Sequence, residues 1–148
     1  MGLFSNATAA KESDTLKLSP AEAFTAVLTT AMAADGYASD EELRMLRDNL
    51  FSMQLFKPLD DEARLHMLER VLKLLENPGP EALLVEARSV LKAELRETAF
   101  AMAADMVTSD GCLADEEQSY LDRLRETLDI QQDMADLLIT AMGVKNRG

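Results

Sequence analysis

The stretch Asp35-Gly36-Tyr37-Ala38-Ser39-Asp40-Glu41-Glu42 returns 75 positions later as Asp110-Gly111-Cys112-Leu113-Ala114-Asp115-Glu116-Glu117. Each copy follows an apolar helical run and opens another. A helix–acidic loop–helix unit therefore stands once in each half of the 148-residue chain. Around it the pattern is helical throughout. Ala, Leu, Met and Glu dominate, Trp is absent, and no period-two alternation lasts long enough for a strand.

Seven helices follow from caps, stripes and breakers. Ser19-Pro20-Ala21-Glu22 is a capping box with Pro in the first turn, followed by the stripe Phe24, Val27, Leu28, Ala31 and Met32. Gly36 is suited to end that helix, and Ser39 with Glu42 forms a second capping box before Leu43, Leu46, Leu50 and Met53. Pro58 breaks the chain, and Asp60 caps a third helix with Leu65, Leu68, Leu72 and Leu75 inward. Asn77-Pro78-Gly79-Pro80 is the strongest breaker and separates the two copies of the repeat. A fourth helix carries Leu83, Leu84, Ala87, Val90 and Leu91. A fifth, over about Lys92 to Thr108, buries Leu95, Ala99, Met102 and Met106. The sixth begins near Ala114 with Leu121, Leu124 and Leu128. Asp129 caps the last, where Met134, Leu137, Leu138, Ala141 and Met142 pack. The expectation is an all-α, compact seven-helix bundle with two pseudo-repeated helix–acidic loop–helix units. Its domain spans 19–143, between a flexible tail over 1–18 and a loose one over 144–148.

A net charge of −12 argues against nucleic acid and against unaided docking on an anionic membrane, and it suits cations and basic partner proteins. No apolar run approaches the roughly 20 residues of a membrane span, so direct membrane insertion is not expected. The first residues lack the basic-then-apolar order of a secretory signal. Met1-Gly2 begins like a myristoylation signal, but Asn6 stands where that pattern needs Ser or Thr. Cys112 is the single cysteine, so no internal disulfide forms, and the cytoplasm is the simplest location.

Asp35 and Asp110 supply the chemistry. Each is placed at a helix C-terminal end, where the macrodipole makes an acid unfavourable by roughly 0.3–1 kcal/mol. A bound cation would neutralise each of them. Glu42 and Glu117 stand seven positions further on, in the first turn of the next helix, with Asp40, Glu41, Asp115 and Glu116 as auxiliary donors. All are hard oxygens, which suit Ca²⁺, Mg²⁺ or Mn²⁺. The loop is not an EF-hand: counted from Asp105, Val107 occupies the third ligand position and Gly111 comes one place late. Turn chemistry accounts for the same letters without a metal, because Asp-Gly is a turn pair and Ser-x-x-Glu a capping box. No organic cofactor fingerprint, zinc spacing or Ser/His/Asp set is spelled, so no catalytic residue is assigned. His66 reads as a surface residue, Cys112 as a loop filler, and the nine methionines mostly as core packing.

An apolar helix ending in Ala33-Ala34-Asp35-Gly36, a short loop and a Glu-rich helix start, repeated around a central Pro/Gly break, resembles the TerB-like family. The resemblance spans roughly Pro20 to Met142. Departures are Ser109 before Asp110, Ala114 in place of a better cap, and Cys112 within the loop; none removes a carboxylate. The resemblance implies a seven-helix bundle and a non-enzymatic role in bacterial tellurite or metal-stress resistance. Asp35, Glu42, Asp110 and Glu117 then take a divalent cation, and the partners are proteins of a stress-response or resistance complex. The alternative reading is a structural protein–protein interaction module without metal. The least favoured is a hydrolase-type enzyme using the paired carboxylates.

Overall fold

Between Glu22 and Asp35 the chain carries no charged residue. A helix apolar on every side offers no face to water and belongs inside a bundle. The computed structural model describes residues 16–34, 40–109 and 113–147, with Glu42 by its backbone alone, and it places this helix at the centre. Helix α1 (Pro20–Ala34) buries eleven of its fifteen residues. Three of these are threonines, and each hydroxyl donates to a carbonyl one turn back: Thr25 to Ala21 at 2.8 Å, Thr29 to Ala26 at 3.1 Å and Thr30 to Val27 at 2.7 Å. The polar groups are thus satisfied inside the helix that carries them.

Six more α-helices follow among the described residues: α2 (Asp40–Phe51), α3 (Asp61–Glu76), α4 (Pro80–Val90), α5 (Ala93–Val107), α6 (Asp115–Thr127) and α7 (Gln132–Lys145). A 3-10 turn at Gln54–Phe56 stands between α2 and α3. The protein is an all-α bundle, and no described residue is in a strand. Helices α3, α4 and α5 pack most extensively on α1, and α6 adds a smaller contact. α7 lies on α5, whereas α2 rests chiefly on the 3-10 turn. No described helix is long and apolar enough to cross a membrane.

Two of the expected caps are present. Ser19 Oγ accepts from Glu22 N–H, and Glu22 accepts from Ser19 N–H at 2.9 Å. Asp60 accepts from Ala63 N–H at 2.8 Å. The central breaker gives the α3–α4 corner: Gly79 holds φ 109°, a conformation glycine adopts without strain, and donates to Leu74 O. Gly36 and Ser39 lie outside the described residues.

Four expectations change. On α7, Leu137 and Ala141, expected to pack, are exposed. On α3 the buried stripe is Met67, Val71 and Leu74, while Leu65 and Leu72 face solvent. Asp129 does not cap α7. It closes α6 at φ 56°, where its N–H reaches Glu126 O and the Ile130 N–H reaches Arg125 O. That is the two-bond Schellman pattern, with Asp in the place usually given to Gly. The boundary expected at 143/144 falls inside α7, which runs to Lys145, and Asn146 donates to Asp105 Oδ1 at 2.7 Å.

The reassigned face of α3 can be tested directly. Leu74→Ala should cost about 2–5 kcal/mol in urea unfolding, whereas Leu72→Ala should cost under about 1 kcal/mol. Equal losses would refute the assignment.

Candidate cation site at the acidic end of the bundle

α1 ends at Ala34, α5 ends at Val107, and α6 starts at Asp115. A helix C-terminus leaves carbonyls without intrahelical donors, and a helix N-terminus leaves amides. At the end of α5 the Thr108 hydroxyl turns back and donates to Ala104 O at 2.7 Å. At the start of α6 the Glu117 carboxylate accepts from Ala114 N–H at 2.9 Å. Ala114 has no side-chain oxygen, so this is one half of a capping box.

These three helix ends meet. Ala34, Val107, Glu116, Glu117 and Tyr120 bound one small cavity of about 60 Å³. That is room for an ion or a water or two, and too little for an organic substrate. Residues flanking both acidic loops therefore share one cavity: Ala34 directly precedes Asp35, and Glu117 closes the second repeat.

Asp35 and Asp110 lie outside the described residues, as do Cys112 and the Glu42 side chain. Asp40 and Glu41 are exposed at the start of α2, Asp115 and Glu116 are exposed at the start of α6, and Glu117 is half-buried. Among the described residues no three acidic, His or Cys side chains come together as a metal-binding group. His66 is exposed, with Nε2 3.9 Å from Glu62.

Two residues of this end carried no expectation. Tyr120 places its hydroxyl 3.4 Å from Thr30 Oγ1, linking α6 to α1 across the cavity wall. Burial pushes its phenol up to about 12, against smaller opposing effects from the Thr30 hydrogen bond and the Arg123 charge. The signal was available: Tyr120 stands three residues past Glu117, on the same side of the helix.

No family model matches the chain, and neither a curated protein nor a solved structure matches it.

The tyrosine gives a pH test. Its folded pKa of about 12 lies above the 10.0 of an ordinary tyrosine. The folded state therefore holds the proton longer than the unfolded state. Its contribution is complete below pH 10 and is lost as pH rises towards about 12. Tyr120→Phe should flatten the fall in melting temperature across that window. An unchanged alkaline profile would show that Tyr120 does not carry it.

Proposed function

We propose that this chain is a non-enzymatic module that binds a divalent cation at its acidic end and passes that state to partner proteins. The observation that carries this reading is the shared cavity. Residues adjoining both acidic loops, Ala34 on one side and Glu116 and Glu117 on the other, bound one ion-sized space. Asp35, Glu42, Asp110 and Glu117 are the proposed ligands, with Asp40, Glu41, Asp115 and Glu116 as auxiliary donors. The two repeats are then equivalent halves of a single site rather than two separate sites. The donor set is all carboxylate oxygen, so Ca²⁺, Mg²⁺ or Mn²⁺ is the expected occupant. Two copies of one acidic loop concentrate negative charge that a cation offsets.

The TerB-like resemblance extends this to a bacterial stress or metal-resistance system in the cytoplasm. Tellurite is an anion and the chain carries a net charge of −12. Direct capture of tellurite is therefore electrostatically unfavourable, and the contribution to resistance runs through complex formation with partner proteins.

A second reading has its own observation. Glu117 already accepts from Ala114 N–H, which is what turn chemistry alone requires of it. Under that reading the loops only end helices, and the acidic surface docks a basic partner.

Glu117→Gln separates the two, because Gln caps the Ala114 amide but cannot match a carboxylate as a cation ligand. Calorimetric titration with Ca²⁺ and Mn²⁺ should give heat for the native chain, with the melting temperature rising. Saturation at 100 times Kd stabilises by about 2.7 kcal/mol. Asp35→Asn, Asp110→Asn and Glu117→Gln should each weaken binding at least tenfold, with Glu117→Gln leaving metal-free stability nearly unchanged. A native chain that shows neither heat nor a thermal shift at millimolar metal returns the loops to turn chemistry.

A further inference from the structure

The C-terminal helix buries little of itself. Of the fourteen residues of α7, Ala135 alone is buried. Met134, Leu138 and Met142 follow i, i+4, i+8 spacing and, with Ile139, lay a half-buried seam on the core, chiefly on α5. Apolar surface that stays partly wet contributes less than surface fully withdrawn from water. Polar contacts then fasten the two ends.

The two fastenings differ in kind. Just before α7, the corner Leu128–Ile130 is gripped from three other helices. Arg96 of α5 donates to Leu128 O at 2.9 Å, Arg125 of α6 donates to Ile130 O at 3.0 Å, and Arg88 of α4 meets Asp129 at 3.3 Å. Arg96 and Arg125 are half-buried, and these bonds hold main chain. The far end is held by a clasp of two side chains. Lys145 Nζ donates to the Asp105 carboxylate at 3.1 Å. Asn146 Nδ2 donates to the same carboxylate at 2.7 Å and to Thr108 Oγ1 at 3.3 Å. Water reaches both members of the ion pair, with Lys145 58% and Asp105 33% exposed, and a pair so placed holds weakly.

Thr108 extends the reach of the clasp. It caps α5 with its amide on Ala104 O at 3.0 Å, and it stands two residues before Asp110. The clasp therefore closes on the turn from which the second acidic loop departs.

We propose that α7 is a strap. It hinges at Leu128–Ile130, opens at the Lys145–Asn146 clasp as one unit while α1 stays folded, and when closed keeps the last turn of α5 in order. A helix with one buried residue, resting chiefly on one neighbour, opens at a free energy below that of global unfolding. Opening loosens the approach to the acidic end without altering any of its carboxylates. This holds whether or not a cation binds there.

The test is native-state hydrogen exchange on the full chain at low urea, with a chelator present. Amides from Leu138 to Val144 should exchange together, at least about a hundredfold faster than the buried amides of α1. Their urea dependence should be weaker than that of α1, because a local opening exposes less surface. Asn146→Ala removes the donor to both Asp105 and Thr108. It should speed exchange of α7 and of the Thr108 amide by about tenfold. Leu137→Gln, on the exposed side of α7, should leave both unchanged. Exchange of α7 that tracks α1 in rate and urea dependence overturns the strap. So does exchange that grades inward from Lys145 instead of sharing one rate, since that is fraying of a chain end. A Thr108 amide that Asn146→Ala leaves unmoved overturns the hold on α5.

Discussion

Everything in this bundle is arranged around a helix that has no outside. From Ala23 to Met32 α1 is buried on all sides, because its side chains there are apolar or are threonines bonded to their own backbone. That removes the usual rule that a helix needs one polar face, and it sets the number of neighbours. α3, α4 and α5 cover most of α1, and α6 adds to the cover. Phe24 projects from it to meet Phe56 edge-on at 6.3 Å, which ties the 3-10 turn to the same core. The peripheral elements are α2, which rests chiefly on the 3-10 turn, and α7, which rests on α5. They leave apolar surface uncovered at Met45, Leu137 and Val144, as α3 does at Leu65 and Leu72 and α4 at Val85.

A second constraint is how the corners are held. Four arginines donate to backbone carbonyls at chain turns: Arg64 to Phe56, Arg70 to Lys17, Arg96 to Leu128 and Arg125 to Ile130. Helix ends and turns expose carbonyls that need donors, and a guanidinium supplies several in a fixed fork. Arg70 also pairs with Glu22 and so joins α3 to the cap of α1. Arg64 and Arg125 likewise pair with Asp61 and Glu126. The acidic balance follows from composition, 27 acids against 15 basic residues.

The helices were legible because their punctuation is local. Ser19, Asp60 and the Asn77–Pro80 break act within three or four residues, and the structure shows each at work. The face of α3 was not legible, because Leu65, Leu68, Leu72 and Leu75 form one stripe and Met67, Val71 and Leu74 form another beside it. Only contact with α1 chooses between them. Asp129 was misread for a related reason. A short acid between two helices suits an N-cap, but it also tolerates the left-handed conformation, and the α6 corner uses the second property. At the acidic end, helical spacing puts Tyr120 beside Glu117, but it does not show what the hydroxyl meets. Its role comes from Thr30, 90 residues away in sequence.

The pentapeptide Ala-Met-Ala-Ala-Asp occurs twice, at 31–35 and 101–105, and the two copies end differently. The second lies wholly inside α5, and its Asp105 is a tether: Lys145 and Asn146 bind the carboxylate and fasten the end of α7. The first ends one residue past Ala34, where α1 stops and the acidic repeat begins. Identical letters therefore need not carry identical duties. At Asp105 the chain supplies its own ammonium. Asp35 follows a helix with no basic residue in its last turn, where the end of the helix adds negative potential of its own. A carboxylate there gains most from a cation that comes from solution, and this is why the proposed ion is assigned to the first loop and its repeat rather than to the second pentapeptide.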